Sequence, residues 1–381
     1  MRILLLAGLF CSLSVTVRAQ DTLLSFCLLE RIEQLQPKTD GVFNKGLFPS
    51  YRMYALNKDR QKADVNVFFT GLIMMTLRDL HPRLTPYQQK IASRIIESAA
   101  PATERFKNQK GKPAYHFWPA DVPQIFPNGG WLNLFNKSQS LPPDMDDTAI
   151  MLLALAAADS TATRVHAYMQ GFTNNPAHRI QNTAAQFRDL PAYSTWFGVK
   201  MPVDFDICVL SNVIYMVQRY QLPWTAADSA SVQVIKGAVE SGLYRTAPGY
   251  IAPHYARTPI ILYHIARLMQ VKPIPELDSL KAVLVATARE QLQQSNRFMD
   301  QVLLLTALKR WGVTDLPIIQ HNTNAALLDL VEDESFSFFI ANMASMLPDT
   351  LKKWINSTNL GTFYYYCPAY NHLLLLENLL Q

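Results

Sequence analysis

The segment Pro143-Asp144-Met145-Asp146-Asp147-Thr148-Ala149 places three carboxyl groups in four positions and then turns apolar through Ile150 to Leu155. Two kinds of chemistry suit that pattern. An Asp just before a helix accepts the free N–H groups of the first turn, and acids there suit the helix dipole. Carboxyl groups crowded against an apolar segment can instead keep a proton and deliver it. An isolated Asp has a pKa of about 3.9 and is ionised at neutral pH, so a donor must be desolvated or crowded by like charge. The helix N-terminus favours the carboxylate, so donation needs a site removed from water. Asp144 follows Pro142-Pro143, where an N-cap is expected, and Asp147 stands where an acid reaches back in a capping box. Asp146 has no such structural task. It is the expected acid, with Asp144 and Asp147 as its partners.

Two kinds of helix must position these groups. Residues 85–106, 226–243 and 276–293 mix charged and apolar residues at helical spacing, whereas 64–79, 146–158, 206–220, 253–269, 297–311 and 363–380 are apolar nearly all round. Amphipathic helices lie on a surface and wholly apolar ones are buried. Alternating outer and inner helices predict hairpins closed into a ring: an all-α, single α/α toroid with six inner and about six outer helices. A solenoid would show a fixed-period repeat, and the chain has none.

Inner helices of such a ring run one way, so their starts meet at one rim. Those starts carry Asp64 and Asn66, the Asp144–Asp147 cluster, Asp204 and Asp206, His254 and Tyr255, Asn296, Arg297 and Asp300, and Tyr364 to Tyr366. Asp64, Asp206, His254, Tyr255 and Tyr364 are therefore candidate substrate contacts. So are Trp118 and Trp131, from an aromatic and Pro-rich insertion over 111–143 that reads as a lid or pocket wall. Rings gathered at such a site can stabilise cations through their π faces, stack on sugars, or simply fill the core.

Composition narrows the partners. A chain of 381 residues, 49% hydrophobic and 17% charged, is globular. Its net charge of +5 is spread without a Lys or Arg run, which argues against nucleic acid. Residues 1–19 read as a signal peptide, with Arg2 at the positive end, an apolar run from Ile3 to Val15, and Val17-Arg18-Ala19 before Gln20. This predicts a secreted or periplasmic domain over 20–381. The apolar run is shorter than the roughly 20 residues that span a bilayer, so no stable transmembrane segment is expected. Cleavage leaves Cys27, Cys208 and Cys367, too few for a disulfide framework.

The Asp144–Ala149 segment resembles the D-x-D-D-T-A motif of class II terpene cyclases of the squalene–hopene cyclase type. "MPVDFDICVLSNVIYMV", residues 201–217, looks like another inner helix of toroid proteins. The resemblance implies an α/α toroid with the motif at an inner-helix start. It also implies that Asp146 protonates an alkene or epoxide, with Asp144 and Asp147 as partners. Asp206-Ile207-Cys208 is similar to the Asp-x-Cys pair of zinc-bearing prenyltransferase β-subunits. Zinc takes about four ligands, usually including His, and that family's His falls near Tyr366, so Cys208 is expected to be a packed thiol. No metal or cofactor is expected.

Three functions stay open: an acid-initiated isoprenoid cyclase, a secreted glycan hydrolase or lyase pairing Asp146 with Asp64 or Asp206, and a non-catalytic ligand-binding toroid. The substrate is correspondingly a small hydrophobic molecule or a glycan. Cavity character separates the first two. A dry aromatic chamber behind Asp146 suits the cyclase, and a wet groove with carboxylates on opposite walls suits the glycan enzyme.

Overall fold

The structure is a computed structural model that describes residues 22–122, 124, 141–198, 201–317, 324–342, 346–356 and 358–381. The expected signal peptide and most of the insertion, Trp131 included, lie outside the described residues.

A helix over 22–35 (α1) leads into a hairpin of β1 (Tyr51–Tyr54) and β2 (Asn57–Ala63). Then come α2 (Phe68–Leu80), α3 (Pro86–Ala99), α4 (Met145–Ala154), α5 (Asp159–Met169), α6 (Ile207–Arg219) and α7 (Ala226–Glu240). Two short turns, α8 (Leu243–Thr246) and α9 (Pro248–Ile251), precede α10 (Thr258–Val271), α11 (Pro275–Asp278), α12 (Lys281–Gln294) and α13 (Phe298–Arg310). The chain ends with α14 (Asn324–Val331), β3 (Phe339–Asn342), α15 (Asp349–Asn356), β4 (Thr362–Tyr366) and α16 (Pro368–Leu380). No helix among the described residues is long and apolar enough to cross a membrane.

The wholly apolar segments form α2, α4, α6, α10, α13 and α16, and their contacts run in that order: each packs on the next, and α16 packs back on α2. Gly71 sets the approach of α2 to α4, since a Cβ there would stand 2.9 Å from both Ile150 Cγ2 and Met151 Sδ. The amphipathic segments lie outside, α3 on α2, α7 on α6, and α12 on α13 and α10. Capping boxes at Thr85 and Thr225 start α3 and α7, each closed by the side chain three residues on.

The all-α expectation needs correction, because a four-stranded antiparallel sheet is present in the order β2-β1-β4-β3. Phe363 to Tyr366, assigned above to the last inner helix, are strand. A run of aromatics suits a pleated surface, and Pro368 disfavours helix at the residue before it while starting α16 well. In the register Phe339 faces Tyr365 and Ile340 faces Tyr364. Side chains alternate across a sheet, so Phe339, Ala341 and Tyr365 share one face while Ile340 and Tyr364 share the other. The free edge of β3 is tied down where Ile340 N donates to the His254 carbonyl at 2.9 Å.

Candidate acid site in an aromatic pocket

Three chain segments meet at the start of α4. Asp144 bridges to both Tyr115 and Trp196, and Met145 N donates to the Thr195 carbonyl at 2.9 Å. The Asp144 side chain caps the helix as expected, its Oδ1 accepting from Asp147 N at 2.7 Å. The reciprocal half of a capping box is missing, because Asp144 N donates to the Tyr115 carbonyl at 3.2 Å, and Asp147 Oδ1 is buried with no partner among the described residues.

Asp146 is held differently, and the expectation that it has no structural task is corrected. Its Oδ1 accepts from Asn212 Nδ2 at 2.6 Å and its Oδ2 from the Tyr255 hydroxyl. The Arg267 guanidinium donates to Asn212 Oδ1. That bond fixes the amide orientation, so its N–H must point at Asp146. Arg267 is buried, and its guanidinium lies 5.3 and 5.6 Å from the ring centres of Tyr215 and Tyr263.

Burial pushes all three carboxyl groups above the ordinary Asp range, but what awaits each conjugate base differs. For Asp146 the rise is opposed by the Tyr255 hydrogen bond, then by Asn212 and by the charges of Arg267 and His254. Asp147 is driven well up by burial and then by Asp144 beside it. Asp144 is pushed up to about 7 by burial, with its bond to Asp147 pulling the other way and the Asp146 charge adding. Ionising Asp146 therefore yields a carboxylate with donors already in place. Ionising Asp147 yields one facing another acid.

The cluster opens into a pocket walled by Phe68, Phe117, Trp118, Trp196, Phe339 and Tyr365. His254 completes the wall beside Asp144, Asp146 and Asp147, and no Lys or Arg among the described residues lines it. Phe68 and Val209 bring the starts of α2 and α6 to the same place as the start of α4. Burial works against a charge on His254, yet Asp204, Asp206 and Asp146 prevail and hold the imidazole above its ordinary range. Its Nε2 stands 3.7 Å from Asp204 Oδ2, near enough for attraction and too far for a hydrogen bond.

Not every expected residue reaches the pocket. Asp64 sits behind it, accepting from Trp118 Nε1 at 2.9 Å and from Asn66 Nδ2 at 3.1 Å, with Arg52 3.9 Å away. Asp206 caps α6 through Cys208 N and Val209 N and accepts His254 N at 2.8 Å. Burial pushes it up to about 6, against the His254 charge. Neither acid lines the pocket, so neither faces Asp146 across an open groove. Tyr364 lies on the other face of the sheet, in a separate groove with Tyr250 and Arg257. Of the other histidines, His116 contacts Asn108 and the Leu141 carbonyl, and His264 contacts the Ile260 carbonyl. Cys208 is buried, and burial pushes its thiol well up, away from the thiolate a metal needs.

Asn212, Arg267, Thr195 and Phe339 escape sequence reasoning. For the first two a signal exists: each is a polar residue inside an otherwise apolar helix, where burial demands a partner. No family model, curated protein or solved structure matches this chain.

Proposed function

We propose that the protein is an α/α-toroid enzyme that starts isoprenoid cyclisation with a proton from Asp146. The observation that carries this reading is the pair of donors on the Asp146 carboxyl, Asn212 and Tyr255, within an aromatic pocket. A donor to an alkene must keep its proton at neutral pH and yet be a strong acid at the moment of transfer. Burial supplies the first requirement, and waiting hydrogen bonds to the carboxylate supply the second. The closed circuit of α2, α4, α6, α10, α13 and α16 supports the toroid.

In this mechanism the Asp146 O–H bond breaks as its proton adds to an alkene carbon or an epoxide oxygen. The carbon left electron-poor is attacked by the π pair of a second alkene of the same molecule, which closes a ring. Loss of a proton from a neighbouring carbon forms the product alkene, and one proton restores Asp146, so the net change is isomerisation. Phe68, Phe117, Trp118 and Phe339 present π faces to the cation and keep water from quenching it. The glycan reading lacks its second carboxylate, since Asp64 and Asp206 are engaged behind the wall.

The test is incubation of the purified chain with acyclic polyprenyl alkenes and epoxides, followed by mass-spectrometric search for cyclic isomers. Ring products from wild type and none from Asp146→Asn are expected. Tight binding without conversion of any substrate would leave the non-catalytic toroid as the better account.

A further inference from the structure

Four polar groups of the pocket wall have no hydrogen-bond partner among the described residues: Trp196 Nε1, the two ring nitrogens of His254, Asp147 Oδ1 and the Tyr365 hydroxyl. All four residues are more than nine-tenths buried, at 8%, 6%, 1% and 0% exposure. The Trp196 and His254 rings meet edge to face, 5.8 Å between centroids. Trp118 donates to Asp64, Tyr255 to Asp146, and the backbone N–H and C=O of His254 are both engaged. Buried polar groups in folded proteins are nearly always paired, so four unpaired ones around a single pocket mark where a ligand atom belongs. Trp196 can only donate, and a charged His254 donates from both nitrogens.

We infer that the substrate carries a neutral acceptor oxygen (a carbonyl, epoxide or hydroxyl) received by Trp196 and His254, and that it is not a prenyl diphosphate. This deepens the reading of the pocket as an isoprenoid site and rests on it. The exclusion follows from charge. A diphosphate would enter a pocket that no Lys or Arg among the described residues lines, and its negative charge would make Asp144, Asp146 and Asp147 hold their protons more tightly, against the transfer. A neutral oxygen meets donors without that penalty. Trp196 and His254 are specificity-determining residues in this view, and Asp146 keeps the proton transfer.

The experiment is calorimetric titration of the full chain with three probes: geranylacetone, its deoxygenated hydrocarbon counterpart, and geranyl diphosphate. The ketone should bind at least about tenfold more tightly than the hydrocarbon, and the diphosphate no more tightly than the hydrocarbon. Trp196→Phe and His254→Phe should each shrink the ratio of ketone to hydrocarbon affinity to about threefold or less, whatever either change does to hydrocarbon binding itself. Equal affinity for ketone and hydrocarbon in the wild-type chain, no binding of the ketone, or preference for the diphosphate overturns the inference, and none of these needs a variant. Product analysis on the same samples separates the two claims. Ketone preference without any ring formation removes the cyclase and keeps the oxygen site, whereas conversion of hydrocarbon polyenes with no preference does the reverse.

Discussion

Arg267 acts on Asp146 without touching it: the guanidinium donates to Asn212 Oδ1, and Asn212 Nδ2 donates onward to Asp146 Oδ1 at 2.6 Å. A permanent positive charge is thereby brought to the acid through a single amide. An Arg in direct contact would hold the carboxylate ionised, and an Asn alone would carry no charge. The intermediate arrangement lets burial keep the proton while favouring its departure.

Asn212→Ala should cut kcat at least about tenfold with a smaller change in KM, because the lost bond acts on the carboxylate formed in the transition state. The same variant should move the pH at which activity falls off upward, as Asp146 holds its proton more tightly. A rate–pH profile unchanged from wild type would assign Asn212 to packing alone.

Asp146→Asn should abolish turnover yet leave the melting temperature close to wild type, because an amide can still accept from Asn212 and donate to the Tyr255 oxygen. Asp144→Ala, by contrast, removes the cap of α4 and should cost about 1 kcal/mol of stability. Thermal melts beside product assays on both variants check this, and unfolding of Asp146→Asn with full activity per folded molecule sinks the catalytic assignment.

Stability should decline as pH rises through the neutral range. Asp144 and Asp206, raised to about 7 and about 6, bind protons in the folded state that the unfolded chain, with Asp at about 3.9, has already lost. The folded state then holds more protons, so the unfolding free energy falls with pH between those values and levels off above them. His254, held above its ordinary range, adds in the same direction. Melting temperatures from about pH 5 to pH 8 should fall, and Asp144→Asn should flatten the slope. A rise over that window contradicts the assignment.

Native alkylation should label Cys27 and spare Cys208 and Cys367. Cys27 is exposed, while the other two are buried, with the Cys367 thiol pushed up to about 12. Peptide mapping after brief iodoacetamide treatment reads this directly, and rapid labelling of Cys208 would show a reactive or metal-ready thiol.

The buried helices are legible in the sequence because their composition is one-sided: α6 and α10 carry almost no charge over three turns or more, and such segments must be inside. The convergence of Asp144, Asp146, Asp147 and His254 follows from that arrangement of helix starts. The sheet is not legible. Its strands are short, and Phe363 to Tyr366 abut an apolar helix with only Pro368 to mark the change. The Asn212–Arg267 relay is hidden for another reason: a lone polar residue in an apolar helix signals a buried partner without saying which. Tyr364 faces the separate groove because strand period, not helix period, decides where it points.

That alternation has an architectural consequence. The β3–β4 ribbon is a party wall between two chambers, with Phe339, Ala341 and Tyr365 facing the acid pocket, and Ile340 and Tyr364 facing the separate groove. Apart from Asn342, which lines both, substituting every second residue remodels one chamber and leaves its neighbour alone. Inserting a single residue in β4 instead exchanges the tenants of both rooms, so the ribbon accepts changes of side chain far more readily than changes of length.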